Sequence, residues 1–121
     1  MSAFDFARMK MVHSTWILKL RGFVHGRENL DSKDLVSHRD CDLGKWIYST
    51  GLATYGHLPA MQQLERAHKS MHDLAQRVVK LRSAGSLPEA EQEFSKVYET
   101  SKEVTALISG LERRVKQQTN V

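Results

Sequence analysis

The chain has 121 residues, the usual size of one domain, and this length can bury a continuous hydrophobic core without disulfides. Hydrophobic residues make up 40% and charged residues 26% of it, with two prolines and seven glycines, which excludes disordered and collagen-like classes and leaves most of the length free to be helical. Its 18 basic and 14 acidic residues give a formal charge of +4, but the basic residues are scattered, so we expect a solvated surface and no nucleic-acid partner.

The single cysteine cannot form an internal disulfide, which indicates a reducing compartment. The apolar residues at the N-terminus are interrupted by Asp5, Arg8 and Lys10, so this stretch is typical of neither a signal peptide nor a membrane span. We therefore expect a cytoplasmic protein with no membrane partner, folded as a single domain over residues 1–121.

The first predicted helix covers about residues 3 to 25. Its apolar or weakly polar positions recur every three or four residues and line one helical face: Phe6, Met9, His13, Trp16, Leu20 and Phe23. His13 therefore lies in the middle of a stripe that we expect to be buried.

A polar, turn-rich stretch follows from Gly26 to Asp40, in which Asp31 or Ser32 could cap a short helical turn. Next, a short helix is predicted, capped by Asp40 and closed by Gly51. Cys41 would then lie in the first turn of that helix.

A third helix is predicted from about Leu58 to Ser83, and two histidines interrupt its apolar face. The last helix is predicted to begin near Ser86, with Pro88 in its first turn. Its apolar positions follow a regular spacing of four and three, typical of a bundle or coiled-coil seam: Ala90, Phe94, Val97, Ser101, Val104, Ile108, Leu111 and Val115. Three long helices and one short Cys-bearing segment predict an all-α four-helix bundle.

The residues that carry chemistry are three core-facing histidines and the cysteine. His68 and His72 are four residues apart on one helix, so both imidazoles project from the same face and can share a metal ion. His13 occupies a seam position where an unpaired polar ring is costly to bury. Cys41 at a helix N-terminus can serve as a thiolate, and three imidazoles with one thiolate form a tetrahedral zinc set. The alternatives are a chance histidine pair, a core histidine bonded to a backbone carbonyl, and a cysteine that packs as a small hydrophobe.

Four further residues are expected to support the site rather than to bind the metal: Trp16, Asp40, Lys45 and Trp46. The tryptophans would pack around the site and shield it. Lys45, on the exposed side of the short helix, could favour the thiolate form of Cys41 electrostatically.

Catalytic metal chemistry is disfavoured by the neighbours of the histidines. A helical metalloprotease motif needs a glutamate directly after its first histidine, where this chain has Lys69. A di-iron bundle needs carboxylates at helical spacing from its histidines, yet four residues after His13 comes Ile17. Four protein ligands also leave no open coordination position, so we expect no enzyme.

The other three histidines, His25, His38 and His57, lie in or beside loops and are interpreted as surface residues. Among these, His38 is the one closest in sequence to Cys41.

The assembled motifs resemble the chemoreceptor zinc-binding (CZB) domain of bacterial chemoreceptors and diguanylate cyclases, over nearly the whole chain. The most specific is CDLGKW at 41–46, with HSTW at 13–16 and LERAHKSMH at 64–72 beside it, and SKEV at 101–104 resembles the closing helix. The chain departs from the family at Ile17, where a lysine is usual, and at Ser37, where a histidine often precedes His38. Both departures spare the four ligand positions.

The resemblance implies a four-helix bundle with a three-His, one-Cys zinc site, often dimeric, that senses zinc or oxidants such as hypochlorous acid in the cytosol. It implies a homodimer and an output through a chemoreceptor or a diguanylate cyclase. Because Cys41 lies on a short element, we expect it to be the redox switch and the ligand that moves. The competing hypothesis is a helical dimerisation module, paired through the last helix, with a purely structural zinc.

Overall fold

The computed structural model describes residues 5–30 and 34–119, without the side chains of 117–119. The elements in chain order are α1 (Phe6–Val24), α2 (Asp42–Trp46), a π-helical segment (Ile47–Gly51), α3 (Leu52–Tyr55), α4 (Pro59–Ser83) and α5 (Leu87–Thr119). No strand occurs within these two described ranges. The all-α bundle of three long helices and a short segment after Cys41 is confirmed.

The ends of the long helices follow local chemistry. Asp5 caps α1 by accepting a hydrogen bond from the backbone N–H of Arg8 at 2.9 Å. Between α4 and α5, Gly85 has a φ of +81°, which a residue with a side chain rarely adopts, and Ser86 N donates back to Leu81 O at 2.9 Å. This tight turn makes α4 and α5 an antiparallel hairpin.

The hydrophobic core lies between α1, α4 and α5. Helices α4 and α5 pack along most of their length, whereas α1 packs more closely on α5 than on α4. The seam predicted for the last helix is buried in this core, with Ala90, Val97, Val104, Ile108 and Leu111 all enclosed. The seam is therefore used inside the chain, and α5 does not offer it for dimerisation.

The segment around the cysteine differs from the prediction in two respects. Cys41, not Asp40, is the N-cap of α2, and Gly51 does not end the helix but lies within the π-helical segment. Gly51 has a right-handed φ of −58°, so it continues the helix. A Cβ there would lie 2.9 Å from the Trp46 ring and 3.1 Å from the methyl carbon of Met61, so close packing is what requires glycine.

The predicted cap at Asp31 or Ser32 falls outside the described residues. No helix in the described ranges is long and apolar enough to cross a membrane.

Candidate metal centre

Two of the predicted ligands are placed by α4. His68 and His72 lie one turn apart on its buried face, 1% and 7% exposed, with ring centroids 4.7 Å apart. Met61, Leu64 and Met71 fill the same face and hold the helix in the core. The two rings are therefore fixed by packing along the whole helix.

The third predicted ligand is placed by the start of α2. The Cys41 Sγ accepts a hydrogen bond from the Gly44 N–H at 3.3 Å and lies 3.2 Å from His68 Nε2. Gly44 makes this turn possible, because a Cβ at its position would overlap the carbonyl oxygen of His38. The ligand atoms of Cys41, His68 and His72 all lie within 4.8 Å of one another.

This group, hereafter the Cys-His-His group, fits zinc. Two ligand atoms of a tetrahedral zinc ion are about 3.5 Å apart, close to the spacing of Cys41 Sγ and His68 Nε2. The ligand atoms of Cys41, His68 and His72 lie close enough together to share one ion. A thiolate with imidazoles suits zinc and not magnesium or calcium.

The electrostatics keep the imidazoles in the form that binds metal. Burial, with the neighbouring histidines, lowers the pKa of His68 to about 3. Burial also lowers the pKa of His13 to about 4, and the neighbouring His72 lowers it in the same direction. The pKa of His72 is likewise lowered to about 4 by burial and by the neighbouring His38. All three rings are neutral at neutral pH and keep a lone pair for a metal.

The surroundings of the Cys41 thiol oppose its ionisation. Burial raises the pKa of Cys41, although the backbone N–H groups of Gly44 and Leu43 partly oppose the shift. The nearby charge that acts on the thiol is Asp42, which raises the pKa further. Without a metal, Cys41 is therefore held as a thiol, and Lys45 is exposed.

His13 is buried beside this group but is not part of it. Its side chain is 8% exposed, and its Nε2 lies 2.9 Å from Ser101 Oγ on α5. Within the described residues, the set of ligand atoms lying within 4.8 Å contains Cys41, His68 and His72 without His13. The structure therefore brings together three of the four predicted ligands and places the fourth next to them.

The four supporting residues take different positions. The Trp16 ring stacks on His72 at 5.2 Å and covers one face of that ring. Trp46, at the other end of α2 from Cys41, packs on Phe6 at 6.0 Å. Asp40 accepts a hydrogen bond from Ser37 Oγ at 3.0 Å in the turn before Cys41, and Lys45 contributes its backbone N–H to the Cys41 carbonyl.

The segment 34–40 carries contacts that the sequence did not predict. The Trp16 indole donates to the Asp34 carbonyl at 2.9 Å, and the Val36 backbone is a hydrogen-bond partner of His72. His38 is half-buried rather than exposed, and its ring centroid lies 6.4 Å from that of His68. In the sequence, the only indication that His38 lies near the site is its position three residues before Cys41.

A cavity of about 610 Å³ adjoins the group between α1, α4 and the start of α2. Its walls include His13, Cys41, His68 and His72, together with Lys19 and Asp34, which form an ion pair at 2.9 Å. Small solutes can therefore reach the thiol and the imidazoles from one side.

The chain matches a known protein family. The sequence profile of the chemoreceptor zinc-binding domain matches residues 13–79, more than half of the chain, from the first predicted ligand past the last. No curated protein and no solved structure matches the chain significantly.

Proposed function

Because this chain belongs to the chemoreceptor zinc-binding domain family, we propose that it is a sensory module holding one Zn²⁺ through His13, Cys41, His68 and His72. The family is one of zinc-binding sensory domains and is not a known enzyme family. The observation that carries the proposal is the Cys-His-His group, whose ligand atoms lie within 4.8 Å of one another in a buried setting.

His13 is the proposed fourth ligand. It shares the cavity with the other three residues, and its ring is buried and neutral at neutral pH. With it, the ion has four protein ligands, as in regulatory and structural zinc sites.

Cys41 is the proposed sensing residue. It lies at the start of a five-residue helix that follows an irregular segment, whereas His68 and His72 belong to a 25-residue helix. Zinc binding requires the thiolate, and oxidants such as hypochlorous acid or peroxide convert a thiolate to a sulfenic acid. Loss of zinc and oxidation of Cys41 would therefore both release the start of α2 from α4.

The zinc site is tested by metal analysis of the purified, reduced protein. We expect about one zinc per chain, and we expect Cys41→Ala and His72→Ala each to abolish stoichiometric binding. His57→Ala is the matched control, since His57 is exposed and lies outside the group. The proposal would be wrong if wild-type protein prepared without a chelator contained no zinc, or if these two variants bound zinc as the wild type does.

The redox role is tested by adding hypochlorite or peroxide in steps. Sulfenic acid at Cys41, detected by mass spectrometry, should appear in proportion to released zinc. An oxidised thiol with zinc fully retained would leave a zinc site without a redox function.

The proposed output is a chemoreceptor or diguanylate cyclase, reached from a cytoplasmic homodimer. Because the apolar seam of α5 is buried within the chain, we place the contact with a second copy on the exposed apolar side chains of α1. Met11 and Leu18, seven residues apart on one face, are each 64% exposed. Leu18→Glu should shift a dimer to monomer in analytical ultracentrifugation, and Gln63→Glu, an equal charge change at an exposed position of α4, should not.

The second candidate is a structural interaction module in which the same zinc only stabilises the bundle. The Cys-His-His group supports a metal in either case. The two are distinguished by whether zinc removal changes association with a partner or changes thermal stability alone.

A further inference from the structure

Ser101 breaks the pattern of the helix that carries it. Its seam neighbours on α5, Val97 and Val104, are fully buried, and Ser101 itself is 8% exposed. It has the one buried side-chain hydroxyl in the part of the chain that the structure describes. A buried hydroxyl is costly unless it is hydrogen-bonded, so its partner explains its presence.

That partner is His13. Ser101 Oγ lies 2.9 Å from His13 Nε2, joining α5 to α1 across 88 residues of sequence. Both groups are buried, so the bond lies inside the bundle.

The hydrogen bond to Ser101 engages the Nε2 atom of His13. If Nε2 accepts the Ser101 O–H, its lone pair is used; if Nε2 donates its own N–H, it has no free lone pair. In either tautomer Nε2 is unavailable to a metal, and neither nitrogen of His13 belongs to the Cys-His-His group. To become a ligand through Nε2, His13 must therefore give up this hydrogen bond.

We infer that Ser101 is a positioning residue that holds His13 away from Cys41, His68 and His72, so that metal binding competes with the hydrogen bond between α1 and α5. This rests on the proposed zinc function. The bond weakens zinc affinity, and its exchange transmits the ligation of His13 directly to α5.

The test is the zinc affinity of Ser101→Ala, measured by competition with a chromogenic chelator. Removing a net hydrogen bond, and leaving His13 unsatisfied without metal, should tighten zinc binding by about fivefold or more. Ser95→Ala is the matched control, because Ser95 is an exposed serine on the same helix whose hydroxyl donates to the Glu91 carbonyl. It should bind zinc as the wild type does.

A double-mutant cycle separates positioning from a general structural effect. In a His13→Ala background, Ser101→Ala should no longer change zinc affinity, because the competing partner is gone. An equal effect in both backgrounds would overturn the inference, and so would weaker or unchanged binding by Ser101→Ala alone.

A measurement on the unmutated chain covers the case in which a variant fails to fold. The ¹⁵N resonances of the His13 imidazole should change on zinc addition as the bond to Ser101 is exchanged, and unchanged Nε2 resonances in zinc-loaded protein would contradict the inference. If the wild type binds zinc through Cys41 and His72 while these tests fail, only the role of Ser101 falls.

Discussion

His13, His68 and His72 are neutral in the folded chain because burial holds the pKa of each well below that of a free imidazole. Neutral rings keep a lone pair for a metal, and protons compete for them only in acid. Burial therefore makes these rings ready for a metal, and it also makes the fold sensitive to acid.

Acid should destabilise the metal-stripped protein in a defined window. Each of these histidines has a folded-state pKa of about 3 or 4, against 6.5 for an ordinary histidine side chain, so the unfolded chain binds more protons at low pH. Their contribution to stability is fully present above pH 6.5 and is lost progressively as the pH falls toward 4 and then 3. The free energy of unfolding, measured with a denaturant at a series of pH values, tests this loss of stability.

His68→Gln should make that pH dependence shallower, while His57→Gln, an exposed control, should leave it unchanged. A free energy of unfolding that is constant between pH 6.5 and 4 would contradict the assignment of these rings as buried and neutral.

At the scale of elements, the turn into α2 decides where the thiol lies. The His38 carbonyl packs directly over Gly44, and the Gly44 N–H bonds to Cys41 Sγ. The glycine of the CDLGKW motif thus has two roles. It leaves room for the preceding turn, and its N–H donates a hydrogen bond to the cysteine.

Gly44→Ala should displace the start of α2, because the new Cβ overlaps the His38 carbonyl. We expect zinc affinity to fall by about tenfold or more and stability by about 1–3 kcal/mol. Gly110→Ala on α5 is the control. The nearest atom to its Cβ would be 3.9 Å away, so zinc binding should be unchanged and helix propensity should add up to about 1 kcal/mol. Wild-type zinc affinity in Gly44→Ala would show that this turn does not position Cys41.

The elements differ in how far the sequence predicts them. Periodicity located the three long helices and placed His13, His68 and His72 on buried faces, because a 3.6-residue repeat reports which side of a helix is covered. It did not reveal Cys41 as the N-cap or the π-helical turn through Gly51, which depend on close packing with residues outside the local pattern.

The bond between His13 and Ser101 was equally hidden. Ser101 was recognised as a seam residue, but a contact across 88 residues depends on how two helices meet and not on the spacing within either. A polar residue at an otherwise apolar seam position was the available signal. Likewise, the irregular segment 34–40 carries no periodicity from which the burial of His38 could be predicted.

For the whole molecule, the burial of the α5 seam gives a test of the architecture. Leu111→Ala should lower the free energy of unfolding by about 2–5 kcal/mol, because Leu111 is fully buried between helices of the same chain. The loss should be the same at low and high protein concentration. A loss that grows on dilution would indicate that the seam joins two chains.

Zinc should stabilise the whole bundle, since its proposed ligands come from α1, α4 and the start of α2. Stripping the metal with a strong chelator should lower the Tm by about 10 °C or more, as expected for a ligand present far above its Kd. The same chelator should leave the Tm of Cys41→Ala unchanged. A wild-type Tm indifferent to the chelator counts against a metal that links the helices.

Because α5 is long, a small change at its contact with His13 can move the distant end of the helix. Its 33 residues extend about 50 Å, and Ser101 lies near the middle. A tilt of about 5° around that point moves the helix at residue 119, about 27 Å away, by about 2 Å. Shifts of this size at helix interfaces accompany switching in other proteins. Helix α5 would then act as a lever that pivots beside the candidate metal centre.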